Sequence, residues 1–358
     1  MTGTIVVCVE DLRAFMIALL MGAGASAESA ADAADVHVDA DLRGVGVQGF
    51  DYLPYTLKSL ERGLIDGAAR PEIVRESAAT ALIDGRRGFG QSAAIAGADL
   101  AVRLASASGT ATVAIRNSTD IFMLAFYAER IARAGKVGMV FTSGPPLVHP
   151  PGGMEKLLST NPLAMAFPRA GGEPFVFDMA TSALASSRVR QAAYDGTPLP
   201  EGSGIGPDGR PTTDAAAVRL GAISPLAGHK GFGLALCIGL LSGPLTGSGV
   251  GPELAGWQGQ SGETRSQGHL ILAIDPAAFG DAATFRDRTD WYLDVIRKSR
   301  SAPGSEGIRI PGERAARARR RSRREGVRIL SASWHNVEPF ARRYGVAPPG
   351  AFPPGETA

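Results

Sequence analysis

The chain is short of cysteine, of net charge and of long apolar runs, and each shortage closes a class of function. Its two cysteines, Cys8 and Cys237, exclude a disulfide framework, and neither has a Cys-x-x-Cys neighbour. Both lie in apolar runs, so they read as buried core thiols, and such sparing use suits a reducing, cytoplasmic compartment. The 37 basic and 35 acidic side chains leave a net charge of +2, too little to draw in nucleic acid or a membrane by long-range attraction. Five histidines (His37, His149, His229, His269, His335) are scattered without zinc-ligand spacing, so no metal site is expected. No G-x-S-x-G elbow offers a hydrolase nucleophile. No apolar stretch has the length of a bilayer span. The stretch FMIALLMGAGASA at 15–27 imitates a secretory signal, but Glu10 and Asp11 precede it where a basic region belongs. Leu12, Phe15, Met16, Leu19 and Leu20 instead form the stripe of a half-buried helix closed by Gly22 or Gly24.

What the chain does have is glycine, 46 residues of it, suited to turns and close backbone approaches. The first 65 residues read as three helices over 10–22, 26–38 and 52–62, the third burying Leu53, Leu57, Leu60 and Leu64. Past residue 80, β-rich runs at 112–115, 137–141, 175–179 and 269–274 alternate with helical patterns at 91–108, 121–134, 181–195, 230–241 and 284–298. That alternation indicates an α/β domain. Gly/Pro-rich loops at 143–153, 196–211 and 244–262 are long enough to be functional or flexible. The glycine clusters at 202–209 and 246–251 neither follow a strand nor open a helix, so a Rossmann fingerprint is absent. The arginine run at 314–324 lacks interleaved aromatics and reads as a solvated helix face able to anchor a cofactor phosphate at one end.

Longer segments carry a sharper signal. In order they are ADLRGV (40–45), GFGQ (88–91), VAIRNS (113–118), HPPGG (149–153), STNPLAMAFP (159–168), FDMATSALASSRV (177–189), PDGRPTTD (207–214), GHKGFGLALCIGLLSGPLTG (228–247), HLILAIDPAAFG (269–280) and IRIPGE (308–313). Collinear from residue 8 to 344, they resemble the type-2 malate/L-lactate dehydrogenases, which include ureidoglycolate, sulfolactate and Δ1-piperideine-2-carboxylate enzymes. The resemblance implies a non-Rossmann α/β fold of the malate/L-lactate (sulfolactate) dehydrogenase kind. It also implies NAD or NADP as cofactor, a small-molecule substrate and a homodimer. An N-terminal helical substrate and dimer region would occupy 1–80 and the α/β cofactor domain 81–312. A segment over 313–346 would pack back on the helices, and 347–358 would be a disordered tail. The family's cofactor-contacting motifs fall on Ser143, Thr160, Asn161, Asp178, Met179, Ala180, His229, Lys230, Pro311, Gly312 and Glu313. Residue chemistry agrees: the STNP segment and Asp178 sit where strands give way to loops. Lys230, between Gly228 and Gly231 at a helix start, offers a cation and free N–H groups to an anion.

The substrate side departs from the family pattern. After ADLRG the family reads Ser-His-Gly and, three residues past the Gly, an arginine; here those positions hold Val47, Gln48, Gly49 and Tyr52. The second signature, N-S-x-H-x-G with its histidine as acid/base, here reads Asn117, Ser118, Thr119, Asp120, Ile121, Phe122. Reducing a 2-oxo acid needs a proton for the nascent alkoxide, a cation for the carboxylate and donors that polarise the carbonyl. Asp120, Gln48 and Tyr52 are therefore the candidate catalytic residues of a remodelled pocket. An aspartate of ordinary pKa, about 3.9, is half-protonated at pH 7 only if desolvation or a like charge contributes about 4 kcal/mol. As a carboxylate, Asp120 acts as a base or grips a substrate ammonium, unless the site no longer does acid/base work. Tyr52 cannot supply an arginine's charge. The expected substrate is thus an atypical ketone or imine, bulkier, more apolar or cationic, rather than a simple 2-oxo acid. Two other readings stay open: a non-redox isomerase, lyase or cyclase on the same scaffold, and a catalytically silent homologue.

Overall fold

The computed structural model describes residues 3–254 and 266–350, so the expected tail lies largely outside the described residues, as does part of the 244–262 loop. The chain opens with β1 (Thr4–Val7), α1 (Val9–Gly22), α2 (Ala27–Leu42) and α3 (Leu53–Glu61). The apolar stripe of α1 faces inward: Leu12, Phe15, Met16, Leu19 and Leu20 are all buried. Ser26 caps α2 by accepting from the Ser29 N–H at 3.2 Å. Two short 3₁₀ turns join α2 to α3, and Asp41 Oδ2 holds them by accepting from the Phe50 N–H at 2.9 Å.

The middle of the chain supplies β2 (Glu72–Glu76), β3 (Thr80–Asp84), α4 (Gly90–Ser108), β4 (Thr110–Ser118), α5 (Ala125–Arg133), β5 (Val137–Thr142), β6 (Leu163–Phe167) and β7 (Phe175–Met179). A side lobe follows: α6 (Ser186–Asp195), β8 (Gly204–Ile205), α7 (Ala215–Leu220), β9 (Ala222–Ile223) and α8 (His229–Ser242). The remainder is β10 (Gln267–Ile274), α9 (Ala282–Arg297), α10 (Glu313–Glu325), β11 (Val327–Leu330) and α11 (Ser331–Tyr344). Seven strands form one sheet in the order β2-β3-β4-β10-β5-β6-β7, and only β3 and β4 run parallel. Strands and helices do alternate, but the largely antiparallel return is not a doubly wound topology, in keeping with the missing Rossmann fingerprint. Ala93, Ala94, Gly97, Ala98 and Ala101 let α4 press on the sheet; a Cβ on Gly97 would come within 2.9 Å of Ile115.

The two ends of the chain meet. β1 and β11 pair antiparallel, Thr4 opposite Leu330 and Val7 opposite Val327. Val337, Phe340 and Ala341 of α11 enter the same cluster as Leu12, Phe15, Leu53 and Leu57, and Trp334 stacks 5.6 Å from Phe50. This core is separate from the one beneath the sheet.

Three expectations need correction. The helix expected from 121 begins at Ala125, because Phe122 takes a left-handed conformation (φ +58°) and Asp120 captures its N–H. The helix expected from 181 begins at Ser186, because Thr181 donates its hydroxyl to the Thr160 carbonyl at 2.9 Å and Ser182 bridges to Pro225. The cysteines are not core thiols: Cys8 is half-buried and Cys237 exposed. Cys8 donates to Glu10 at 2.8 Å, while α8 is apolar on its outward face too, exposing Leu234, Leu236 and Leu240.

Candidate active site

A cleft of about 1210 Å³ runs between the α2–α3 turn, the ends of the sheet strands and the side lobe. Three of its walls carry the substrate-side candidates. Gln48 and Tyr52 come from the 3₁₀ turns, Asp120 from the segment leaving β4, and Arg190 from α6. Gly90 fixes the Asp120 segment. Its N–H donates to Thr119 Oγ1 at 2.9 Å, that hydroxyl donates to the Gly88 carbonyl at 3.0 Å, and a Cβ at 90 would lie 2.2 Å from the Thr119 carbonyl oxygen. Asp120 then accepts from the Phe122 N–H at 2.9 Å. Burial pushes its carboxyl above the ordinary carboxylate range, against the lowering effect of the Phe122 and Ile121 N–H groups. The three candidate catalytic positions therefore share one pocket.

Aromatic rings line this end. Tyr52 meets Phe122 edge-on at 4.9 Å and Tyr55 at 5.0 Å, and Phe122 leans on His37 at 4.6 Å. Burial raises the Tyr52 phenol well above its usual value, and the Asp120 charge adds to the effect while Arg190 opposes it. Tyr52 is thus a neutral hydroxyl donor, not a base. The Arg190 guanidinium lies 6.0 Å from the Tyr52 ring centre and 5.7 Å from that of Tyr55.

Six of the eleven expected cofactor positions line the same cleft: Ser143, Thr160, Asp178, Met179, Ala180 and Gly312. Asp178 is open to the cleft yet deep in the protein. Burial raises its carboxyl to about 6, offset in part by the Ala125 N–H and by the charge of Arg43. One of its oxygens accepts from that N–H at 2.8 Å and so caps α5. Asn161 lines a smaller adjoining cavity of about 260 Å³ that shares Ser143 with the cleft. Its Nδ2 donates to the Ala235 carbonyl at 2.6 Å, and its buried Oδ1 has no partner among the described residues. His229 and Lys230 stand exposed at the start of α8, off the cleft wall; their turn reaches it through Leu226, whose carbonyl accepts from the Gly231 N–H at 2.8 Å. Pro311 is exposed beside Gly312, and Glu313 is engaged with Arg297 at 2.7 Å.

These residues fit a dinucleotide. The cleft exceeds the range of about 300–1,000 Å³ that holds one small ligand. Arg188, Arg219 and Arg314 line it without an ion-pair partner among the described residues, a surplus of cations facing the space a pyrophosphate needs. Gly312 (φ +87°) closes one wall, where a Cβ would come within 2.7 Å of the Val176 carbonyl oxygen. Among the described residues no cluster of His, Cys, Asp and Glu could hold a metal ion, and no helix is long and apolar enough to cross a membrane.

Several residues that shape the site were not singled out from the sequence. His269 joins its two halves: Nε2–H donates to the Thr119 carbonyl at 3.1 Å, and Nδ1 accepts from the Thr142 hydroxyl at 2.7 Å. His37 donates from Nδ1 to the Gln48 carbonyl at 2.8 Å, and its buried Nε2 has no partner among the described residues. Arg43 lines the cleft and reaches Asp39 at 2.6 Å and Glu129; Arg319 reaches Glu129 at 2.8 Å from α10. Burial alone would raise Glu129, but Arg43, Arg319 and Arg133 outweigh it and hold the carboxyl at about 2. The arginine run thus forms a mostly exposed helix, with Arg319 turned inward. No sequence period marks any of these positions.

A mixed sheet, a helical layer built from both chain ends and a cation-rich cleft between them define an α/β ligand-binding protein outside the Rossmann class. The pattern of the malate/L-lactate dehydrogenase family matches residues 7–338, and the chain belongs to that family, whose members are oxidoreductases. It is 35% identical over 337 residues to an L-sulfolactate dehydrogenase of Methanocaldococcus jannaschii, covering 94% of this chain and 96% of that one. It is 34% identical to a (2R)-3-sulfolactate dehydrogenase (NADP(+)) of Chromohalobacter salexigens, covering 94% and 98%. A solved Δ1-piperideine-2-carboxylate reductase from Pseudomonas syringae superposes with a TM-score of 0.86 at 33% identity, covering 94% of this chain and 99% of that one.

Proposed function

We propose that this chain is an NAD(P)-dependent oxidoreductase that reduces an atypical ketone or imine, with an imine the better fit. The observation that carries the reading is that Asp120, Gln48 and Tyr52 open into the same cleft as Ser143, Thr160, Asp178 and Gly312. A relative named for NADP(+) and a structural neighbour named for a cyclic imine acid support it. Ser143, Thr160, Asp178 and Gly312, with the unpaired Arg188, Arg219 and Arg314, would hold the dinucleotide, which supplies a hydride when bound.

The proton is the task of this chain's own residues. Asp120 stands where the family pattern carries histidine. As a neutral acid, Asp120 donates its proton to the substrate nitrogen and the resulting carboxylate pairs with the iminium. That proton stays on the product amine, so no stronger acid is needed; a ketone instead asks for protonation of an alkoxide as it forms. Gln48 and Tyr52 donate hydrogen bonds that orient the reacting group. A homodimer belongs to the same reading, supported by the exposed leucines of α8.

Fluorescence titration with NADPH and NADH, then nicotinamide absorbance against a panel of cyclic imines and ketones, tests the proposal. Binding of one dinucleotide well below millimolar and turnover of an imine are expected. Failure of both dinucleotides to bind at millimolar concentration would sink it.

A further inference from the structure

We propose that Arg190 is the substrate's carboxylate-binding residue, so that the substrate is an organic acid held from the α6 side of the cleft. The inference rests on the reductase reading above and adds to it the charge and orientation of the substrate.

The sequence places Tyr52 where the family pattern carries a cation, and suggests a pocket without one. The fold brings a cation to that place from 138 residues further along. Arg190 lies on α6, half-buried, and lines the cleft together with Gln48, Tyr52, Asp120 and Phe122. Its guanidinium is 6.0 Å and 5.7 Å from the ring centres of Tyr52 and Tyr55. Two rings at this range restrict a long side chain and hold its planar fork before a ligand arrives, which lowers the ordering cost of binding.

The charge has no carboxylate partner. No acid of the described residues comes within ion-pair distance of Arg190, whereas Arg43, Arg319 and Arg133 each reach Glu129. Burial raises the Asp51 carboxyl, and the Ser333 hydroxyl opposes that rise more than the Arg190 charge does. A half-buried guanidinium without an anion leaves its donors to the cleft, and a carboxylate matches that fork with two parallel hydrogen bonds. Tyr52 feels both Asp120 and Arg190. A substrate lying across the Tyr52 ring therefore meets an anion grip at one end and a proton carrier at the other. That arrangement selects a ketone or imine bearing an acid group, and it disfavours the cationic ligand that the loss of the arginine at 52 first suggests.

The test uses full-length protein and a planar acid that the enzyme does not reduce. Calorimetric titration with 2-furoate is compared with 2-furamide, which keeps the shape and lacks the charge, after NADPH affinity has been measured. The wild type is expected to bind the acid in clear preference to the amide. Arg190→Gln is expected to weaken the acid about 30-fold or more while leaving the amide and NADPH unchanged. Arg190→Lys, which keeps the charge without the fork, should recover part of that loss. Equal binding of acid and amide by the wild type, or an Arg190→Gln loss shared by both ligands or by NADPH, overturns the proposal. Absence of NADPH binding would instead count against the reductase reading. The furoate and furamide titrations are then run on the free protein, where the same comparison still decides the role of Arg190.

Discussion

The backbone N–H of Phe122 donates to Asp120 Oδ1 at 2.9 Å, and it does so from a left-handed conformation with φ +58°. The proposed proton carrier is thus oriented by a neighbour whose own backbone is strained. Asp120→Asn keeps the shape and removes the proton. A loss of about 10²–10⁴-fold in kcat is expected, with dinucleotide affinity unchanged. Burial raises Asp120, and the reaction needs its protonated form, so activity falls as pH rises through that elevated value. Steady-state rates across pH check both statements. Full activity in the asparagine variant would remove Asp120 from the mechanism.

Phe122 sets strain against packing. A left-handed non-glycine residue costs about 1–2 kcal/mol, and its half-buried ring contacts His37 and Tyr52. Phe122→Ala loses the ring and keeps the strain. Phe122→Gly loses the ring and relieves it, at a cost of about 0.5–1 kcal/mol in unfolded-chain entropy. Glycine is therefore expected to unfold about 1 kcal/mol later than alanine in urea, the reverse of their order in a helix. An alanine variant at least as stable as the glycine one would refute the strain.

Burial holds His37 down at about 4 and His269 at about 3, against about 6.5 in an unfolded chain. Below that pH the unfolded chain binds protons that the folded one refuses, so stability falls with pH and levels off only beneath the folded values. The raised carboxyls of Asp120 and Asp178 act in the opposite sense, so the comparison is made within one background. His37→Phe should lose about 2–3 kcal/mol less than wild type between pH 7 and pH 4.5. Urea midpoints at the two pH values measure it, and parallel losses would contradict it.

Glu129 is the hub of Arg43, Arg133 and Arg319. Glu129→Gln leaves two buried guanidinium groups short of their counter-charge, which costs about 3–5 kcal/mol. Denaturant unfolding at pH 7 checks this. A change under about 1 kcal/mol would mean that Asp39 and Glu173 compensate.

Much of the scaffold was legible because helical and strand periods are local. The α1 stripe and Leu53, Leu57 and Leu60 of α3 follow from spacing, while Leu64 falls past the end of that helix and is half-buried. The β-rich runs at 112–115, 137–141 and 269–274 lie inside the longer strands β4, β5 and β10. The misplaced helix starts at 121 and 181 were decided by side chains taking over backbone groups, Asp120 in one case and Thr181 in the other. The motif residues of the cleft wall were readable as a set. Arg190, His37 and His269 were not, because nothing in a chain of 37 basic residues and five histidines distinguishes the ones that folding carries to the cleft. Lys230 shows the converse. A cation between glycines at a helix start was correctly placed on a helix, yet spacing could not say that its side chain stands off the cleft wall.

The antiparallel pairing of β1 with β11 sets a schedule for synthesis. Some 320 residues separate Val7 from its partner Val327. At about 5–20 residues per second, a ribosome needs roughly 16–64 s to deliver that partner. Through this interval the inward faces of α1 and α3 lack the α11 side chains that complete their cluster. The apolar faces of these first helices therefore stay partly uncovered until β11 and α11 have emerged.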